Sequence, residues 1–179
     1  RGRACAGSGG TAPAYGPGDF GDCPGPVVVR VDGLGLEMLR QRRGHTPTLR
    51  QWLAQREAAI AAGAGILTCR PSTTAAALTM LGTSALPGTT GMVGYSVLKP
   101  RLGPALPAST VPSPDQVLSL ITWKGDDVPS PRAWQDVPTI FERLPAGSAV
   151  SIGPARFAGP GLTAAALRGP PHLGADGLE

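Results

Sequence analysis

The sequence has few aromatic residues, few cysteines and no long apolar run, and each shortage excludes a class of protein. Aromatic residues make up 4% of the chain and do not interleave with the basic residues, so no nucleic-acid polymer is expected as a partner. The cysteines Cys5, Cys23 and Cys69 lack CxxC spacing, so neither a zinc knuckle nor a disulfide framework is indicated. No run approaches the roughly 18 apolar residues of a membrane helix. Because no signal segment opens the chain either, we expect no membrane span and a cytoplasmic location.

Histidine is equally scarce, which limits the catalytic arrangements that the chain can form. His45 and His172 are the only two, and neither has ligand spacing with another candidate residue. A Ser-His-Asp triad is therefore hard to assemble. The net charge of +4 allows a phosphate-rich substrate without implying one. The densest basic cluster, Arg40, Arg42 and Arg43, is typical of a solvated helix end.

Glycine and proline mark the organisation of the chain. The 26 Gly and 20 Pro are about a quarter of the 179 residues, and they concentrate near the N-terminus, at residues 100–115 and beyond residue 153. We expect a disordered lead-in over residues 1–25, one domain over residues 26–169 and a loose tail over residues 170–179.

Between these segments, strand-like and helix-like patterns alternate. We predict strands over residues 27–31, 66–69, 117–123 and 149–152. We predict helices over residues 34–43, from Pro47 to Gly63, from Ala75 through Leu81 to an end near Thr83, and over residues 136–144 and 162–168. Such alternation is typical of an α/β fold with a mostly parallel sheet layered by helices.

Asp32 follows the valine-rich residues 27–31, which look like a strand buried on both faces of a parallel sheet. Ligands of open α/β sheets bind at the carboxyl ends of strands, so a carboxylate there can hold a metal ion. The alternative is a turn formed by the Asp-Gly pair alone.

A hydroxyl cluster, Ser72, Thr73 and Thr74, stands where a short apolar run gives way to a predicted helix. The first turn of a helix offers free N–H groups and the positive end of the dipole, which favour an anion. A hydroxyl there can cap the helix or attack a phosphate. Attack needs a base or a metal ion to remove the proton.

Three segments together resemble the type I phosphodiesterase and nucleotide pyrophosphatase family of the alkaline phosphatase superfamily: VVVRVDGLG, HTPTL and PSTTAAALTMLGTSALPGTTGMVGY. The resemblance implies an alkaline-phosphatase-like α/β/α sandwich, two divalent metal ions of the zinc type and a covalent enzyme intermediate. It implies that Asp32 binds metal and that Thr74 is the nucleophile and also contacts a metal ion. The implied substrate is small and phosphorylated, such as a nucleotide or a phosphodiester.

The sequence departs from the family pattern at three places. Thr90 stands where these enzymes usually have His, and Tyr95 stands where they place an oxyanion-stabilising Asn. Tyr95 is nevertheless our candidate substrate-binding residue. The family's later Asp and His ligands find no counterpart after residue 120. We therefore expect the N-terminal part of such an enzyme, incomplete at its C-terminus and nearly inactive in isolation.

Two alternatives stay open. One is a non-catalytic α/β binding or interaction domain in which Thr74 is only a helix cap. The weaker one is a sulfatase, whose modified nucleophile lies in a CxPxR motif. Cys69-Arg70-Pro71-Ser72 begins that motif, but Thr73 replaces the closing Arg.

Overall fold

The computed structural model describes residue 25 and residues 27–64, 67–99, 111–125, 127–159 and 161–175. The predicted lead-in therefore lies, except for residue 25, outside the described residues. The chain divides into two compact units with the boundary between Leu67 and Thr68. This boundary falls inside the segment that the sequence assigned to one domain.

The described residues of the first unit form two helices, α1 (Leu36–Gln41) and α2 (Pro47–Ala59), and α2 continues into a π-helical turn, Ile60–Ala64. Proline at the first helical position of α2 confirms the predicted start, because its fixed φ suits a helix and its missing N–H would be unbonded there. Thr46 precedes it without a side-chain capping bond. Gly63, at a φ of +94°, breaks the turn close to the predicted stop.

The predicted buried strand over residues 27–31 is wrong. These residues form no ladder, and the side chains of Val27, Val28 and Val29 are 88%, 72% and 79% exposed. Valine favours a pleated surface, but a strand also needs a partner strand and a covering layer. The described part of the first unit supplies only helices.

The second unit contains four helices among its described residues: α3 (Thr74–Thr83), α4 (Pro87–Thr90), α5 (Pro131–Trp134) and α6 (Leu162–Ala166). Its strands form two separate pairs. β1 (Ser96–Leu98) runs antiparallel to β2 (Val117–Ser119), and β3 (Ser151–Gly153) runs parallel to β4 (His172–Gly174). Short 3₁₀ turns lie at Pro114–Gln116, Phe141–Arg143 and Ala155–Phe157.

These elements agree with the sequence in part. Helices α3 and α6 and strands β2 and β3 lie where they were predicted, although the strands are shorter. The predicted helix over residues 136–144 is replaced by the single 3₁₀ turn Phe141–Arg143. Strand β4 forms inside the segment expected to be a loose tail. The layered, mostly parallel sandwich stays a prediction, because the sheets of the described residues have only two strands each.

A small apolar core holds the second unit together. Its buried members are Ala75, Met92, Leu118, Leu120 and Ala165. Leu118 and Leu120 belong to one segment, so four segments of the chain contribute to the core. Burying side chains of the Leu or Met type stabilises a fold by roughly 1.5–3 kcal/mol each. This core fixes one flank of α3, the helix that begins at Thr74.

Candidate active site

The start of α3 assigns different roles to the two threonines. Thr73 has an extended backbone, and its side-chain oxygen accepts a hydrogen bond from the N–H of Ala76 at 3.4 Å. Thr73 is thus the N-cap of α3, and Thr74 is its first helical residue. This assignment removes the N-cap role from Thr74, the role that the non-catalytic alternative required.

Thr74 is half-buried, and the residues that follow it are fixed by their packing. Ala75 and Ala76, the next two residues, are fully buried, and Ala75 belongs to the apolar core. The carbonyl of Thr73 accepts the N–H of Ala77 at 2.9 Å, which closes the first turn. With ten residues, α3 presents the positive end of its dipole beside the Thr74 hydroxyl. A phosphate held there would meet both a hydroxyl and partial positive charge.

The far end of α3 is held by close backbone contacts. Gly82 packs against the backbone of Ala166 in α6, and a methyl group on Gly82 would overlap the Ala166 carbonyl oxygen. The carbonyl of Gly82 also accepts the N–H of Ile140 at 2.7 Å. Both ends of α3 are therefore positioned by the second unit itself.

Tyr95 and Thr90, the residues at which the family pattern weakens, have different environments. The Tyr95 side chain is exposed, and its carbonyl accepts the N–H of Leu120 at 2.8 Å. Thr90 is buried, and its hydroxyl donates to the carbonyl of Pro87 at 3.3 Å and accepts from the N–H of Met92 at 3.4 Å. Thr90 thus serves the turn after α4, while the phenol of Tyr95 is accessible to a ligand.

Asp32 belongs to the first unit, whereas Thr74 belongs to the second. The Asp32 carboxylate accepts a hydrogen bond from the Arg30 guanidinium at 3.1 Å, and the two side chains form an ion pair. Asp32 and Gly33 form a turn, and Gly33 has a φ of +72°, a left-handed conformation that favours glycine. The turn expected as the alternative role of the Asp-Gly pair is therefore present.

The described residues do not fit a complete metal centre. No group of three or more His, Cys, Asp and Glu side chains converges among them. Asp32 adds a carboxylate that already pairs with Arg30. A two-metal site needs several such ligands around each ion. Asp32 and Thr74 alone cannot hold two ions.

The sequence did not reveal a polar network that fastens α6 to residues 135–142. The Arg168 guanidinium donates to the carboxylate of Glu142 at 3.1 Å and to the carbonyls of Gln135, Val137 and Ala165 at 3.0, 2.6 and 2.9 Å. We call these five residues, together with Thr139, the Arg168 network. It satisfies backbone carbonyls near the buried face of α6.

Thr139 and Glu142 form a reciprocal pair inside the Arg168 network. The N–H of Thr139 donates to the Glu142 carboxylate at 2.8 Å, and the N–H of Glu142 donates to the Thr139 hydroxyl at 3.1 Å. This is a capping-box arrangement, and the Thr-x-x-Glu spacing is the signal that could have revealed it. Burial raises the pKa of Glu142, but the Thr139 N–H and the charge of Arg168 outweigh burial, so the pKa lies below its ordinary value.

The sulfatase alternative is not favoured by the geometry at Cys69. The Cys69 side chain is buried, and its thiol donates to the carbonyl of Pro71 at 3.3 Å. A nucleophile must instead be reachable by its substrate.

Comparison with known proteins identifies the family. The model of the type I phosphodiesterase / nucleotide pyrophosphatase family matches residues 26–168. The chain belongs to this family. The match confirms the resemblance based on the segments around Asp32 and Thr74, and it assigns the chain to hydrolases of small phosphorylated substrates such as nucleotides. Neither a curated protein nor a solved structure matches the chain. Within the described residues, no helix has the length and apolarity required to cross a membrane.

Proposed function

We propose that this chain carries the nucleophile of a phosphodiester or pyrophosphate hydrolase and that the nucleophile is Thr74. The family match supports the reaction class. The observation that carries the residue assignment is the position of Thr74 as the first residue of α3, with Thr73 occupying the capping position.

In the proposed reaction, the Thr74 oxygen attacks phosphorus in line with the leaving oxygen. A bond forms between Thr74 Oγ1 and phosphorus as the Thr74 hydroxyl loses its proton to solvent, the bond to the leaving group breaks, and the displaced oxygen takes up a proton from solvent. Water then cleaves the phosphoryl- or nucleotidyl-threonine. The first-turn N–H groups and the helix dipole stabilise the negative charge on the phosphoryl oxygens.

Two divalent metal ions of the zinc type belong to the proposal through the family resemblance alone, with Asp32 and Thr74 as contributors. Such ions would lower the pKa of the attacking hydroxyl and neutralise the phosphate. The other ligands are not supplied by the described residues. We propose Tyr95 as a substrate-binding residue, because its exposed phenol can donate a hydrogen bond to a phosphate oxygen.

The two threonines offer a test with opposite outcomes. In the full-length protein, with zinc added, Thr74→Ala should lower the hydrolysis of bis-p-nitrophenyl phosphate by at least about 10³-fold, because it removes the nucleophile. Thr73→Ala should keep the activity but lower the free energy of unfolding by about 1 kcal/mol, because it removes a cap. Thr74→Ser keeps a hydroxyl and should retain part of the turnover.

The non-catalytic alternative predicts the reverse. If Thr74→Ala left turnover unchanged and lowered the free energy of unfolding as a cap variant does, Thr74 would be a structural residue and the proposal would fail. Circular dichroism of both variants checks that α3 persists.

A further inference from the structure

The first unit contains a cavity that none of the family's motifs explains. Its volume is about 290 Å³, close to the lower end of ligand pockets, roughly 300 Å³. Side chains from α1, from the turn after it and from α2 line it: Arg40, Arg43, Arg50, Leu53, Ala54 and Glu57. The sequence placed Arg40 and Arg43 in a solvated helix end, but folding brings Arg50 to the same space.

The charges around this cavity are unbalanced. Three of its lining residues carry a guanidinium and one carries a carboxylate. Glu57 accepts a hydrogen bond from Arg40 at 2.9 Å and compensates that one guanidinium. The backbone N–H of Arg50 donates to the carbonyl of Thr46, but the guanidinium groups of Arg43 and Arg50 form no hydrogen bond or ion pair with another described residue. Two positive charges therefore face the same cavity without an acidic partner in the described part of the chain.

Guanidinium groups match phosphate oxygens because their N–H donors lie in one plane and can form two parallel hydrogen bonds. Two guanidinium groups at one cavity match a ligand with two negative charges better than they match a ligand with a single carboxylate. Leu53 and Ala54 add apolar side chains to the lining.

We propose that this cavity, which we call the arginine cavity, is a binding site for a phosphate-bearing anion. A pyrophosphate group is the ligand chemistry that its two unpaired guanidinium groups and its size fit. The site is built within the first unit and does not include Thr74, so the proposal does not depend on the proposed hydrolase activity.

Calorimetric titration of the 179-residue chain with inorganic pyrophosphate at low salt tests this site. We expect wild-type binding to weaken about tenfold in Arg43→Gln and in Arg50→Gln, because each variant loses a charge-assisted hydrogen bond. Arg42→Gln is the matched control, because Arg42 neighbours Arg43 without lining the cavity. It removes the same charge from the same helix end and should change the dissociation constant less than about twofold.

A variant with the opposite effect sharpens the test. Glu57→Gln removes the carboxylate that occupies Arg40, so pyrophosphate should bind several-fold more tightly. Thr74→Ala should bind pyrophosphate as the wild type does. Helix content by circular dichroism confirms that each variant remains folded.

Four results would overturn the proposal. They are an absence of wild-type binding, equal weakening in Arg42→Gln and Arg43→Gln, weaker binding in Glu57→Gln, and loss of binding in Thr74→Ala. Equal weakening would indicate a diffuse positive field rather than a site. Loss in Thr74→Ala would assign the bound pyrophosphate to the helix start of the second unit.

Discussion

Each of the two units has an Arg–Glu pair that links separate segments, but the surroundings of the pairs differ. In the first unit, the side chains of Arg40 and Glu57 are 40% and 51% exposed, and no described residue of that unit is buried. In the second unit, the side chains of Arg168 and Glu142 are 10% and 20% exposed, and they lie beside an apolar core. The same chemical pairing should therefore stabilise the two units differently, because water screens the first pair more strongly than the second.

The largest effect should come from Arg168→Met. This change keeps much of the side-chain volume but leaves the Glu142 carboxylate without its closest cation and the carbonyls of Gln135 and Val137 without a donor. We expect the free energy of unfolding to fall by about 3–5 kcal/mol, because several hydrogen bonds to a charged group are lost and each contributes about 1.5–3 kcal/mol. Urea unfolding followed by tryptophan fluorescence measures it, since Trp123 and Trp134 lie in the second unit.

Arg40→Met is the matched control in the first unit. It removes an exposed pair and should cost less than about 1 kcal/mol. Similar losses in the two variants would contradict the contrast between the units.

A smaller effect should come from Gly82→Ala. The added methyl group would overlap the carbonyl oxygen of Ala166, so α3 and α6 must separate. Overpacking of this kind costs about 1–3 kcal/mol. Gly88→Ala is the control, because no atom lies within 4 Å of its new methyl group. Equal unfolding midpoints for Gly82→Ala and the wild type would show that the two helices can shift without cost.

The smallest effect should be a pH dependence from Glu142. Its folded pKa lies below the ordinary value of 4.5, so the folded state holds the charged carboxylate more favourably than the unfolded state does. The stabilisation is fully present above the unfolded pKa and is lost as pH falls from about 4.5 through the folded pKa. Thermal unfolding between pH 3 and pH 7 (roughly the range over which such a carboxyl titrates) should show a flatter profile in Glu142→Gln. A variant profile as steep as that of the wild type would remove Glu142 from this role.

Sequence patterns predicted the helices of this chain better than its strands, for a physical reason. A helix bonds within itself, so Pro47 and the residues around Thr74 indicate a start without knowledge of the rest of the chain. A strand needs a partner, and the valines of residues 27–31 find none among the described residues of their unit. Strand β4 was missed for the same reason, because its parallel pairing with β3 joins residues about 20 positions apart.

The candidate site shows a similar division. The sequence indicated a hydroxyl cluster at a helix start, but three consecutive hydroxyl residues do not reveal which one is the cap. The backbone conformation at Thr73 decides it. The position of Asp32 at a strand end depended on a strand that does not form. Arg168 has no local signature, because its acceptors other than Ala165 lie at least 26 residues away in sequence.

The long sequence separation between Arg168 and two of its acceptors also determines when the second unit can finish assembling. Its guanidinium bonds to carbonyls 31 and 33 residues earlier, whereas Arg40 and Glu57 in the first unit are 17 residues apart. Contacts between distant residues form only after a long loop has closed. At a synthesis rate of about 5–20 residues per second, Arg168 is added to the chain roughly 2–7 s after Gln135 and Val137. The two helices of the first unit can meet before that time, so the segment that carries Thr74 acquires its full support last.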